Sequence, residues 1–268
     1  MKQLFLVSFL LLCHSAFADK PGFGDTFVLS LGVMDHGGKA DLSSTNVGDA
    51  ESVIDLDELG LDDDQRVVWT SGRWRFTDRW ELGASYTNFN TKGSASASRD
   101  YSYGDLDVTA SATVASDLDI ELYIVDVTWD LLSTDRSQLG VGLGLHVMDM
   151  GLSLSAELDL GTGAPVQTGS ETGDATAPLP NFTLVGGHML TDKLYLTAKA
   201  GVFSLDYDKY SGKLTSLRGM LEWRPKKNVG IGVGYQYVDV DVKVDGDLRE
   251  RKYTLELDGP ILFLTVGF

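Results

Sequence analysis

The chain has 268 residues, a formal net charge of −17 from 22 basic and 39 acidic side chains, 43% hydrophobic residues and one cysteine. The acidic balance excludes a nucleic-acid partner, which needs a basic footprint, and a single cysteine excludes a disulfide framework. After residue 18 no run approaches the roughly 18 apolar residues that suggest a membrane helix, and the length fits one domain.

The first 18 residues read as a secretory leader. Lys2 supplies the positive start, Leu4 to Leu12 is almost wholly apolar, and Ala16-Phe17-Ala18 is a small-x-small cleavage site before Asp19. Cys13 lies inside this leader, and Leu12 is a poor residue to precede a lipidated cysteine. The remaining chain, 19–268, is then cysteine-free, and its net charge becomes −18 because Lys2 is the only charge removed.

Turns organise the rest of the chain. Thr77-Asp78-Arg79, Thr134-Asp135-Arg136 and Thr191-Asp192-Lys193 are near-copies, and Pro225-Lys226-Lys227-Asn228 is a fourth polar turn. Each stands between two alternating apolar runs and predicts a tight hairpin. Four hairpins make eight strands, and one more at each end makes ten, over 26–34, 67–76, 80–89, 122–131, 139–148, 182–190, 194–203, 215–224, 229–238 and 259–268. Their length suits tilted strands crossing a bilayer. Alternation assigns Phe27, Leu29, Leu31 and Val33 to a lipid-facing side, with Leu139, Val141, Leu143, Leu145 and Val147 among their counterparts. Trp74, Trp80, Trp129 and Trp223 all fall near a short turn and form an expected interfacial belt. The opposite side carries Arg73, Arg75, Glu81, Asp126, Asp130, Lys199, Arg218, Glu222 and Arg224, together with many glycines. Such charges inside a narrow barrel are expected to pair, because an unpaired buried charge is costly, and the glycines to make room for the long basic side chains.

The long connections are polar. Residues 48–64 hold eight acidic residues and no basic one, which suits a solvated loop or weak divalent-cation bridging. Val53, Ile54, Leu56, Leu59 and Leu61 interrupt the charge and are expected to pack on the barrel rim. Residues 93–115 alternate small and polar side chains, as strands continued above the membrane would. Residues 161–180 are low in complexity and are expected to be irregular and mobile.

The last run, Gly259-Pro-Ile-Leu-Phe-Leu-Thr-Val-Gly-Phe268, ends on an aromatic residue that shares a face with Leu262, Leu264 and Val266. Such an end resembles the bacterial outer-membrane β-barrel proteins, small OmpA- and OmpW-like barrels among them. The resemblance implies an all-β fold: a transmembrane antiparallel up-and-down β-barrel of ten strands, with eight or twelve as alternatives. It implies that Leu262, Leu264, Val266 and Phe268 are read by the barrel-assembly machinery. It also implies residence in the outer membrane among lipid and lipopolysaccharide, with short turns in the periplasm and long loops outside.

Enzyme chemistry finds little support in the same pattern. Ten strands is also the count of the omptin-type proteases, which set an Asp pair against an Asp-His pair at the extracellular rim. Asp35-His36 is the nearest match, but neighbours on a strand face opposite ways. A lipid hydrolase needs a serine activated by a histidine, and no strand carries a His-x-Ser arrangement. His146 is expected in the lumen network and His188 at the periplasmic interface. Asp62-Asp63-Asp64 lacks the spaced ligands of a calcium loop. No cofactor is implied. The sequence therefore points to a plugged, structural or surface-interacting barrel first, a small-solute channel or carrier of small apolar molecules second, and an enzyme last.

Overall fold

A computed structural model describes residues 24–46, 53–55, 60–61, 64–98, 100–103, 106–158, 166–207, 210–245 and 249–268. The expected leader, 1–18, and most of the acidic segment 48–64, with the cation bridging suggested for it, lie outside the described residues.

Thirteen strands follow in order: β1 (Phe27–Asn46), β2 (Val53–Asp55), β3 (Asp64–Arg75), β4 (Trp80–Ser96), β5 (Tyr101–Tyr103), β6 (Leu106–Val108), β7 (Thr113–Ser133), β8 (Ser137–Leu158), β9 (Val166–Thr191), β10 (Leu194–Tyr207), β11 (Tyr210–Lys226), β12 (Val229–Asp245) and β13 (Arg249–Gly267). Ten of them form the wall. Each pairs antiparallel with its neighbour, and β13 returns to β1, from Val28 opposite Gly267 to Asn46 opposite Arg249. That seam closes the sheet into a ten-strand barrel. The short strand β2 lies on β1, and β5 and β6 form a separate hairpin.

The repeated turn has a local cause. In each copy the threonine hydroxyl accepts backbone N–H groups from within its own turn. Thr77 Oγ1 takes those of Arg79 (3.3 Å) and Trp80 (3.0 Å), Thr134 Oγ1 those of Arg136 (3.3 Å) and Ser137 (2.9 Å), and Thr191 Oγ1 that of Lys193 (3.3 Å). In the fourth turn Asn228 Nδ2 donates to the Gly267 carbonyl (2.6 Å).

The wall runs well past the predicted spans at the end away from these turns. The largest correction is at residues 161–180, where β9 has already begun at Val166. The ladder explains it, because β8 supplies a partner at every step from Pro180 opposite Leu145 to Val166 opposite Leu158, with one register shift. Pro178 and Pro180 are tolerated there because pairing of β9 with β10 ends at Phe182 and Val202. Above that point β9 is an edge, and an edge can spare N–H donors.

The extension also inverts the side chains. In β7, Tyr123, Val125, Val127 and Leu131 are exposed while Asp126, Thr128 and Asp130 are buried. Higher on the same strand Leu118, Ile120, Leu122 and Ile124 are buried, and Asp119 is exposed. In β8, Leu143 and Leu145 face out, and Met148, Met150, Leu152 and Leu154 face in. An apolar core therefore fills the upper barrel. Leu61, Leu106, Val108 and Ala112 cap it from the connecting segments. Gly60 adopts φ 66°, and its carbonyl lies so close to Gly93 that neither position has room for a side chain.

Candidate functional site: the layered barrel interior

The inner face of the lower barrel carries charges in linked groups. At the short-turn end Arg224 lies between two acids. Its Nη1 donates to Asp25 and its Nε to Glu222 Oε1 (2.5 Å), while its guanidinium covers the Tyr195 ring at 5.2 Å. At the same end Arg75 donates to Glu81 and to Asp130 Oδ2 (3.3 Å), and Gln138 Nε2 donates to Asp130 Oδ1 (2.9 Å). One level higher Lys199 Nζ donates to Asp126. Glycines on neighbouring strands make these groups possible, chiefly by making room for carboxylates rather than for basic side chains. A Cβ at Gly83 would stand 2.8 Å from an Asp126 oxygen, and one at Gly140 would stand 2.9 Å from Asp130.

A cavity of about 140 Å³ sits at the Lys199 level, lined by Arg73, Glu81, Asp126, Gln138, Lys199 and Arg218 with smaller neighbours. Arg218 of this lining meets an aromatic pair. Trp69, fully buried, packs on Phe263 with ring centroids 5.9 Å apart, and the Arg218 guanidinium lies 5.6 Å from the Trp69 ring. Gly232 leaves the space that the Phe263 ring occupies, and a Cβ at Gly32 would stand 2.8 Å from the Phe263 Cβ. His146 Nδ1 and Asn181 Oδ1 are 2.9 Å apart near this boundary, and Asn181 Nδ2 donates to Thr183 Oγ1 (2.9 Å). Above it the interior is the apolar core.

The outer face marks the same boundary. Tyr86 and Tyr123 both donate to Glu121 (3.1 and 2.7 Å) with rings 4.8 Å apart, and Tyr235 donates to Asp258. Beyond these tyrosines the outer surface is polar, with Asn88 donating to Asp119 (3.0 Å) and Lys92 paired with Asp117. Below them it is apolar down to the short-turn end. There Trp74, Trp80 and Trp223 are exposed, Trp129 is half-buried under Arg79, and Phe27 stacks on Trp74 at 5.8 Å. Leu262, Leu264 and Val266 of β13 and Phe268 just beyond it are exposed on that apolar side, and the Phe268 carbonyl accepts the Thr26 N–H (2.7 Å) across the seam.

Asp35 and His36 face opposite ways. Asp35 is exposed and accepts from Arg66 Nε (2.6 Å), a bond that holds its carboxyl below the usual pKa. His36 is buried against Phe89, with ring centroids 5.2 Å apart, and its Nδ1 lies 2.7 Å from the Gly37 carbonyl. Burial pushes its pKa down, against the smaller opposing pull of the Gly37 carbonyl and the Asp258 charge.

Four features escape a reading of the sequence. Asp25 precedes β1 and its alternation, so no periodicity marks it as Arg224's partner. Gln138 joins the Arg75 group without a charge to flag it. The Trp69–Phe263 contact forms over Gly32 of β1, the register partner of both, between strands distant in sequence. The fourth is Ser137, whose Oγ lies 2.8 Å from His188 Nδ1. These two are cross-strand partners of β8 and β9, so a search for serine and histidine within one strand cannot find them. Both are solvent-accessible, and among the described residues no carboxylate hydrogen-bonds the ring.

No protein-family model matches the chain, and no curated protein matches it. Solved structures do. The outer membrane protease OmpT from Escherichia coli aligns with a TM-score of 0.59 at 10% identity, over 95% of this chain and 99% of that one. The outer membrane protein OprG from Pseudomonas aeruginosa aligns with a TM-score of 0.37 at 12% identity, over 90% and 95%. The toluene transporter TodX from P. putida aligns with a TM-score of 0.35 at 9% identity, over 91% and 90%. The likeness to OmpT is one of fold, and the chain has the closed ten-strand antiparallel barrel of outer-membrane proteins.

Proposed function

We propose that the protein resides in the bacterial outer membrane as a closed barrel, with a structural or surface-interaction role and no solute pore. The observation that carries this reading is closure at two levels by unlike means. Ion-paired side chains occupy the lower lumen, and a capped apolar core occupies the upper barrel. Barrels that hold wide aqueous channels have about 16 or more strands. The surface role draws support from the height of the wall above the tyrosines, its polar outer face, and the β9 edge that β10 leaves uncovered.

The proteolysis named for OmpT does not transfer readily. The Asp35 carboxylate is engaged by Arg66 on the outside, and His36 is packed inside against Phe89. Planar-bilayer recording of the purified barrel tests the proposal. A silent bilayer is expected, and reproducible, ion-selective conductance steps would overturn it.

A further inference from the structure

We propose that the open upper edge of β9 docks an extended, basic, proline-free segment of another polypeptide, which adds to the barrel wall as a strand. The proposal rests on the surface role given above and names the partner for it. Two prolines create the edge. The ladder between β9 and β10 ends at Phe182 opposite Val202. Continued in the same register it would set Pro180 against Ser204 and Pro178 against Asp206, and a proline has no N–H to give. Pairing of β9 with β8 meanwhile runs without a shift from His188 opposite Ser137 to Gly169 opposite Ala156. The Met189 N–H bonds to the Arg136 carbonyl just before β8, which fixes the phase of that pairing. Alternate residues of an antiparallel strand bond to opposite neighbours. Odd-numbered residues of β9 therefore face β8, and Ser170, Thr172, Asp174 and Thr176 turn their N–H and C=O groups to the open side. Among the described residues no strand pairs there.

The edge is long and accessible. In the continued register the last residue of β10, Tyr207, falls beside Ala177, so residues 170–176 stand past the end of β10. That stretch spans about 24 Å at about 3.4 Å per residue. Ser170, Thr172 and Thr176 are exposed, while Leu106 of β6 lies against Gly169. Free N–H and C=O groups along an edge are a template for a further strand. Charge selects which strand. Residues 145–158 of β8 and 166–181 of β9 hold Asp149, Glu157, Glu171 and Asp174 and no lysine or arginine. On the next strand Glu121 stands directly opposite Asp149, a like-charge pair that a nearby cation relieves. A second copy of the chain does not fit the edge. Barrels inserted in one orientation carry their β9 edges in the same direction, and wall strands tilted by about 35–45° cross where two barrels face each other instead of aligning.

The probe is a short fluorescent peptide alternating lysine and valine. The full chain is folded into phosphatidylcholine nanodiscs, with empty discs as the blank, and binding is followed by anisotropy. Two further peptides are compared: the same sequence with its backbone amides N-methylated, which keeps the charge and removes the donors, and a glutamate–valine counterpart. The lysine peptide is expected to bind, and each of the other two to bind at least about tenfold more weakly. Ser170→Pro combined with Thr172→Pro removes two edge N–H groups and spares the β8 ladder, in the spacing of Pro178 and Pro180. It should weaken binding by a similar factor while the barrel stays resistant to heat in gel electrophoresis. If that variant fails to fold, the three peptides on the wild-type chain decide. No binding of the lysine peptide, or equal binding after N-methylation or exchange of lysine for glutamate, would overturn the proposal. A conducting barrel that still binds the peptide would remove only the closed-barrel reading, and a silent barrel that does not bind it would remove only the docking edge.

Discussion

Along β7, Val125, Val127 and Leu131 turn outward while Asp126, Thr128 and Asp130 turn inward; a turn of the pleat higher, Leu118, Ile120, Leu122 and Ile124 turn inward while Asp119 turns outward. The backbone is continuous through this change, and β7 stays in register with β8 from Thr113 to Asp130. With the barrel in the outer membrane as proposed, what changes is the medium on each side. Against lipid the outer face must be apolar and the polar groups turn in. Above the tyrosines water lies outside, and the strand returns to the ordinary rule of apolar side chains within. The two regions are thus closed by different forces, ion pairing below and hydrophobic packing above, and a charge placed on the outer face should have unequal costs in the two.

The largest effect is expected from Ile120→Asp, which places an unpaired charge in the upper core. A loss of about 3–5 kcal/mol is expected, read as a lower urea midpoint or as a barrel that no longer resists heat in gel electrophoresis. Next is a matched pair on the outer face. Val127→Lys below the tyrosines should cost about 2–4 kcal/mol, as a lysine facing mid-bilayer does, whereas Asp119→Lys above them should cost under about 1 kcal/mol. Equal costs would erase the distinction between the regions.

The smallest effect is one of pH. Burial lowers the folded-state pKa of His36 from its ordinary 6.5. Above about pH 6.5 both folded and unfolded chains hold the ring neutral, and its contribution to stability is complete. As pH falls below that value the unfolded chain takes up the proton first, so stability declines. Urea unfolding on either side of this pH should show the decline, and His36→Gln should reduce it.

Much of the fold was legible in the residues. The Thr-Asp-Arg turns give the strand count, because their threonines cap each turn locally and need no distant partner. The inversion is also written in β7, where the apolar positions change phase between Ile124 and Val125. Two things were not legible. Residues 166–180 are strand only because β8 lies beside them, and their small, polar side chains carry no alternation of their own. The pairings of Arg224 with Asp25, and of Arg218 with Trp69, join residues far apart in the chain, and period-two patterning assigns a face but never a partner.

The inversion itself can be measured directly, since the only cysteine is Cys13, far from β7 in the chain. Single cysteines at the outward positions Asp117, Asp119, Tyr123, Val125, Val127 and Leu131 would carry a nitroxide, with accessibility to oxygen and to a water-soluble nickel complex read by electron paramagnetic resonance in lipid bilayers. Nickel accessibility is expected at Asp117 and Asp119, oxygen accessibility at Val125, Val127 and Leu131, and a crossover at Tyr123. An oxygen-accessible outer face along the whole of β7, with no crossover, would contradict a barrel that changes medium at the tyrosines.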